Sequence, residues 1–287
     1  MCEDVQWAGL PHKDSGLAPL GDSALNACLH LLFHVPKFVK VLEESPHSCV
    51  NIECVFCHLV RIWGAYAHGR INIDLNSALC KIIPDPQIFE TLMFLISMVH
   101  HDLANEENID DSPILQIFGG ELRTETACLK CGAVSCQKEQ LLCVQLSVHH
   151  NDVQQSILDV VGGKKGVCED CGKHSGKYTF KEISEGPRFL LLHLVSANEN
   201  CSTLSLKVNE TIQLPKGLVT TSTQGYKVIG AILSNRMAIV RCPNGNLVSL
   251  QDRKAKSFSW AKFLSRETGS TCKILIYQRL LKEPTTF

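Results

Sequence analysis

The sequence predicts an α+β fold in which helices come first and antiparallel strands follow. Apolar residues recur at three-and-four spacing through the first third of the chain. After Pro113 they give way to alternating and continuously apolar runs of strand length. The two patterns occupy successive stretches of sequence, which is the signature of segregated helix and sheet.

The first helical segment is NACLHLLFHV from Asn26, with Pro36 limiting how far it continues. The second lies between Asn51 and His68, where Ile52, Val55, Phe56, Leu59, Ile62, Trp63 and Tyr66 share a face. The third, DPQIFETLMFLISMVHHDL, places Ile88, Leu92, Leu95, Ile96, Val99 and Leu103 on one side. Asp85 reads as its cap, with Pro86 at the first helical position. These three helices should pack together before the acidic stretch ANEENIDDSP interrupts the pattern.

Strands follow. LLCVQLSVH and YTFKEIS alternate, and FLLLHLV is a continuous apolar run suited to a buried strand. YKVIGAIL, MAIVRC, NLVSL and KILIYQRL read as further strands, and PNGN supplies the Asn-Gly dipeptide of a tight hairpin. The chain shows no internal repeat and no charge block.

Composition narrows the function. With 28 basic against 29 acidic side chains in 287 residues, no general attraction draws the chain to nucleic acid or an anionic membrane. No run approaches the roughly 18 apolar residues of a membrane span. The 15 cysteines are an odd number at a density below that of disulfide scaffolds, and the N-terminal residues lack a secretory pattern. Reduced thiols or metal ligands in cytoplasm or nucleus are expected.

Cys128-Leu-Lys-Cys131 and Cys168-Glu-Asp-Cys171 are each followed by glycine, Gly132 and Gly172. The spacing lets two thiolates converge on one ion, and two such knuckles build a closed, structural zinc site of four cysteines. Cys136, just beyond the first knuckle, is a competing ligand of less regular spacing. A third pair, Cys54-Val-Phe-Cys57, falls in the second helical segment among apolar neighbours with no matching pair, and reads as buried free thiols. Cys49 and the remaining cysteines show no metal pattern.

The order of these features resembles the ubiquitin-specific protease family, papain-like deubiquitinases built of thumb, palm and fingers. Gly16-Leu17 with Leu20-Gly21-Asp22-Ser23-Ala24-Leu25-Asn26-Ala27 is similar to the family's cysteine box, G-L-x-N-x-G-N-T-C-Y-x-N-S. Gln87 to Leu92 resembles the helix Q-D-A-x-E-F-L, and Ile117 to Leu122 the strand L-F-x-G-x-L that leads into the zinc-bearing fingers. Pro187 to Leu194 resembles the palm strand P-x-x-L-x-L-H-L, and Lys273 to Arg279 the closing A-Y-x-L-x-Y-x-R. The resemblance implies a papain-like fold with a helical thumb (16–110), zinc-binding β fingers leading into the palm (111–195) and an antiparallel β palm (196–281). An N-terminal extension (1–15) and a short tail (282–287) flank this single domain.

The departures bear on chemistry, because a cysteine protease needs a thiolate, an imidazole beside it and a group that orients the imidazole. Ala24, or Ser23 in a register shifted by one, stands where the nucleophile belongs. Cys28 lies further along the helix and should not face the cleft. The motif G-H-Y-x-x-Y-V-R aligns with Ser234 to Arg241, putting Asn235 at the histidine and Arg236 at the tyrosine. Gln251 occupies the place of the orienting aspartate, with Asp252 at the second acidic position. His30, His34 and His193 sit in apolar runs and read as core or rim residues.

The resemblance therefore implies a catalytically inactive relative, a binding module or scaffold for ubiquitin or a ubiquitin-like modifier, with zinc as its structural cofactor and other protein partners. A residual isopeptidase using Ser23 or a shifted thiol is the alternative, and a structural subunit of a larger complex is a third reading.

Overall fold

The computed structural model describes residues 23–47, 49, 51–68, 79, 81–83, 87–104, 112–148, 150, 152–172, 176–196, 206–215, 223–251 and 254–280. Helix α1 (Ser23–Leu32) begins three residues before the expected start and ends ahead of Pro36. Pro36 then opens a second helix, α2 (Pro36–Glu44), that periodicity did not reveal. A proline fits the first helical turn because its missing N–H has no intrahelical partner there. Helix α3 (Val55–Ala67) is shorter than the periodic stretch, and Ile52 lies outside it, 86% exposed. Helix α4 (Ile88–Leu103) buries Leu92, Leu95, Ile96 and Val99 as expected. Its N-cap is Gln87, and the expected cap at Asp85 and Pro86 lies outside the described residues. A one-and-a-half-turn helix, α5 (Pro113–Phe118), precedes the first strand where strand was expected, and Ser112 Oγ caps it by accepting from Ile114 N at 3.2 Å.

Two sheets follow. The smaller has four strands in the order β2-β1-β5-β4, from β1 (Gly120–Cys128), β2 (Val134–Leu141), β4 (Gly162–Gly166) and β5 (Lys177–Glu185). The larger has the order β11-β10-β9-β8-β12-β6-β3, with β7 (Thr211–Pro215) also paired to β8 (Thr223–Leu233). Its other strands are β3 (Val144–Val148), β6 (Phe189–Ser196), β9 (Ala238–Arg241), β10 (Leu247–Gln251), β11 (Lys254–Phe258) and β12 (Cys272–Arg279). All its ladders are antiparallel except one. β3 and β6 run parallel, because the chain leaves through helix α6 (Val153–Val160) and the smaller sheet before it returns. The short helices α7 (Trp260–Phe263) and α8 (Arg266–Thr271) precede the last strand.

The larger sheet explains why FLLLHLV is continuously apolar. Phe189 and Leu191 face a core shared with α1 to α5, whereas Leu190, Leu192 and Leu194 face a second core with α6 and α7. The same alternation in β12 sends Ile274 and Ile276 to the first core and Leu275 and Tyr277 to the second. Asn-Gly closes β9 onto β10 as expected, with Gly245 at φ 84° and Cys242 N donating to Asn246 O at 2.8 Å. Among the described residues no single helix is long and apolar enough to cross a membrane. Their cysteines are free thiols.

The helical layer contains a titrating group. His34 Nδ1 lies 2.7 Å from His30 O, the distance of a hydrogen bond in which the ring nitrogen donates. Burial lowers the pKa of His34 to about 4 in spite of that hydrogen bond. A lowered folded-state value means that the neutral ring stabilises the fold above the unfolded value. That contribution is lost progressively as pH falls from about 6.5 to about 4. The loss should be on the order of 2 kcal/mol after discounting for partial exposure. Denaturant unfolding across this window should show it, and His34→Gln should flatten the profile.

Candidate functional site

Strand register assembles the first constellation. β1 pairs antiparallel with β5, with Cys128 at the end of β1 facing Lys177 at the start of β5. The first knuckle follows β1 and the second precedes β5, so this ladder brings the four cysteines to one end of the sheet. Both glycines are left-handed, Gly132 at φ 74° and Gly172 at φ 63°. That conformation favours glycine and folds each amide back, Gly132 N to Cys128 O at 2.9 Å and Gly172 N to Cys168 O at 2.8 Å.

Cys128 Sγ lies 3.8 Å from Cys171 Sγ, and Cys131 Sγ lies 3.7 Å from Cys168 Sγ. Four thiolates about 2.3 Å from a tetrahedral zinc are about 3.8 Å apart, so the residues fit the ion. Amide hydrogens of Cys131 and Lys130 hold the Cys128 thiol down to about 6. Cys131, although the Ala133 amide favours its thiolate, is pushed up to about 12 by the neighbouring Cys128. A divalent cation would relieve that conflict by holding all four sulfurs as thiolates, their protons released to water. Cys136 takes no part, since it is exposed on β2 opposite Glu125.

The junction of helix α1 with the larger sheet carries the second constellation. Helix α1 packs on β8, β9 and β10. Ala24, in its first turn, is fully buried and offers only a methyl group. The side chain of Ser23 lies outside the described residues, as does Asp252. Cys28 is fully buried and its Sγ donates to Ile88 O of α4 at 3.4 Å, so it faces the helical core.

Asn235 sits in the tight turn between β8 and β9, which the bonds Leu233 N to Met237 O and Arg236 N to Leu233 O close at 2.9 Å each. Arg236 adopts φ 62°, the left-handed region, within this turn. Asn235 Oδ1 accepts from Met237 N at 3.3 Å, and its carbonyl accepts from Gln251 Nε2 at 3.3 Å. The structure therefore brings Asn235 and Gln251 together, but in a hydrogen-bonded turn whose carboxamides hold no proton-accepting nitrogen.

The three histidines of the apolar runs have other partners. His30 is fully buried against Tyr66, His34 bonds to the backbone, and His193 stacks on Phe89 with ring centroids 3.8 Å apart. Desolvation lowers the pKa of His193.

The reading of Cys54 and Cys57 as buried free thiols with no ligand nearby is corrected in part, since both are free and Cys54 is buried. Cys54 is the N-cap of α3 and not part of its body, and Cys57 is only half-buried. His47 and Cys49 fold back onto them, so the four make a second cluster of ligand type. The expectation failed because these two residues precede the helix at irregular spacing and come near only once α2 and α3 turn.

The chain from residue 15 to 235 matches the family model described as ubiquitin carboxyl-terminal hydrolase. Curated relatives include the mouse (Mus musculus) ubiquitin carboxyl-terminal hydrolase 17-like protein A, 27% identical over 190 residues, covering 60% of this chain and 36% of that protein. The probable ubiquitin carboxyl-terminal hydrolase 16 of Schizosaccharomyces pombe is 23% identical over 241 residues, covering 74% and 52%. The chain thus spans about a third to a half of the length of these relatives. Among solved structures, the yeast SAGA DUBm carrying an Sgf73 mutant has a TM-score of 0.76 at 18% identity, covering 95% of this chain and 70% of that one. The SAGA DUB module of Ubp8, Sgf11, Sus1 and Sgf73 bound to monoubiquitin gives 0.74 at 17%, covering 98% and 72%. The structural likeness carries the fold, and the match along most of the sequence carries the kinship: this chain belongs to the ubiquitin carboxyl-terminal hydrolase family, as a member of its ubiquitin-specific protease branch.

Proposed function

We propose that the chain is a catalytically inactive member of this family, retained as a binding module for ubiquitin or a ubiquitin-like modifier. One observation carries the proposal. The turn that aligns with the family's histidine holds Asn235, whose side chain and carbonyl are both engaged, by Met237 N and by Gln251. A proton acceptor is missing there whichever residue serves as nucleophile, and Ala24 supplies none. Loss of any member of such a triad typically lowers the rate by several orders of magnitude.

The fingers are the binding element in this reading, held by one zinc on Cys128, Cys131, Cys168 and Cys171. When bound, the ion supplies cross-linking and no reaction chemistry, since protein fills all four positions. Around the knuckles Leu129 and Val134 are 75% and 76% exposed, with Val167 also exposed. Singly such residues are ordinary, but together they support an apolar contact surface for a folded partner. Titration of the zinc-loaded chain with ubiquitin and ubiquitin-like proteins tests this. Leu129→Ser with Val134→Ser should weaken the modifier that binds by about tenfold or more, as loss of apolar anchors does. Unchanged affinity would place the contact elsewhere, and absence of binding to every modifier would refute the modifier reading.

A second reading, a fixed subunit of a larger assembly, is supported by the neighbouring structures in which Ubp8 is solved with Sgf11, Sus1 and Sgf73. Affinity capture would return constant partners and no modifier in that case.

A further inference from the structure

We propose that His47, Cys49, Cys54 and Cys57 form a second zinc centre, set in the helical layer and separate from the fingers. His47 and Cys49 belong to the connection between α2 and α3, Cys54 caps α3, and Cys57 lies in its first turn. His47 Nε2 is 3.2 Å from Cys54 Sγ, and Cys49 Sγ is 3.5 Å from Cys57 Sγ. All four ligand atoms lie within 4.8 Å of one another. A tetrahedral zinc with bonds of about 2.0 Å to nitrogen and 2.3 Å to sulfur sets its ligands about 3.5 to 3.8 Å apart, so only small inward or outward shifts are needed.

Neither a disulfide nor core packing accounts for the cluster. The thiols are not disulfide-bonded. Hydrophobic packing explains Cys54, which joins the buried core, and half-buried Cys57, which packs against it, but not exposed Cys49. The local backbone also suits a thiolate. Cys57 N donates to Cys54 Sγ at 3.4 Å at the positive end of the 13-residue helix α3. One imidazole with three thiolates is a closed donor set of the structural zinc type, in which the thiols release their protons to water as the ion binds.

The position gives the centre a distinct role. Asp102, at the end of α4, accepts from Phe56 N at 3.0 Å and reaches within 3.5 Å of Cys54 Sγ. The second of these contacts is a hydrogen bond only while Cys54 keeps its proton, so metal binding leaves Asp102 held by the Phe56 amide. The centre therefore stands where α2, α3 and α4 meet, beside Val55 and Phe56 of the first core. Zinc in the fingers braces an exposed sheet, whereas zinc here braces the helical layer against which the larger sheet packs.

Native mass spectrometry of the purified full chain should find about two zinc ions. A Cys128→Ser, Cys171→Ser variant should keep one, and a His47→Ala, Cys57→Ser variant should keep the other. One zinc in the wild-type chain, lost with the fingers cysteines, would overturn the second centre while leaving the fingers site intact. Alkylation provides a readout that needs no variant to fold. Exposed Cys49 should react about tenfold or more slowly in the zinc-loaded chain than after chelation, because a metal-bound thiolate is a weaker nucleophile. Equal rates with and without the chelator would also overturn the proposal.

Discussion

Replacing Cys128 and Cys171 by serine should strip zinc from the fingers and unfold the four-stranded sheet there, while the larger sheet keeps its structure. The expected size of the effect follows from how little else holds that end of the sheet. Strand β2 is exposed along VSCQKEQ and only its last residue, Leu141, is buried. β4 is GGKKG, with three of its five residues exposed. Apolar burial at about 25 cal/mol per Å² contributes little to such strands. Structural zinc, by contrast, is coupled to folding by about 10 kcal/mol or more in small zinc-finger peptides. Hydrogen exchange should quicken in β1, β2, β4 and β5 and stay slow in β6, β8 and β12, whose side chains fill both cores. Fingers amides that remain protected in a zinc-free variant would contradict the account.

Phe118→Ala should destabilise the whole domain by about 3–5 kcal/mol, the range for a fully buried phenylalanine truncated to alanine. Phe118 ends α5 just before β1, and its ring lies 6.2 Å from that of Phe38 in α2 and 6.5 Å from that of Phe189 in β6. It therefore joins the helical layer, the larger sheet and the root of the fingers at one point. Domains of this kind have total stabilities of about 5–15 kcal/mol, so the variant should unfold at markedly lower denaturant or fail to accumulate. A shift below about 1 kcal/mol would mean that the junction repacks freely.

What could be read from the sequence and what could not divide along physical lines. Strands buried on both faces announced themselves, because Phe189 to Leu192 and Ile274 to Tyr277 are apolar at every position and fill two cores in alternation. The knuckles were legible because their ligands are adjacent in sequence and their glycines take the left-handed turn. β2 and β4 were missed because a sheet exposed on both faces needs no apolar alternation. α2 was missed because Pro36, a stop signal for α1, is equally a start signal for the next helix. The parallel pairing of β3 with β6 depends on a crossover of more than thirty residues that no local pattern encodes.

The two cysteine clusters show the same division within one residue type. Cys128, Cys131, Cys168 and Cys171 carry their geometry in two short motifs. His47 and Cys49 meet Cys54 and Cys57 only through the turn between two helices, and the tertiary contact of Asp102 with Phe56 N fixes that corner. Ala24, Asn235 and Gln251 read from the sequence as departures from the motifs that the chain resembles. The hydrogen bonds that hold Asn235 in its turn were not legible, because they depend on how β8, β9 and β10 close.

The central claim, a deubiquitinase fold without the chemistry, meets its most direct test in the hydrolysis of a fluorogenic ubiquitin C-terminal amide by the zinc-loaded chain under reducing conditions. The account predicts release no faster than in buffer, and no change on Ser23→Ala or Cys28→Ala substitution. Turnover above the buffer rate that either substitution abolishes would contradict it.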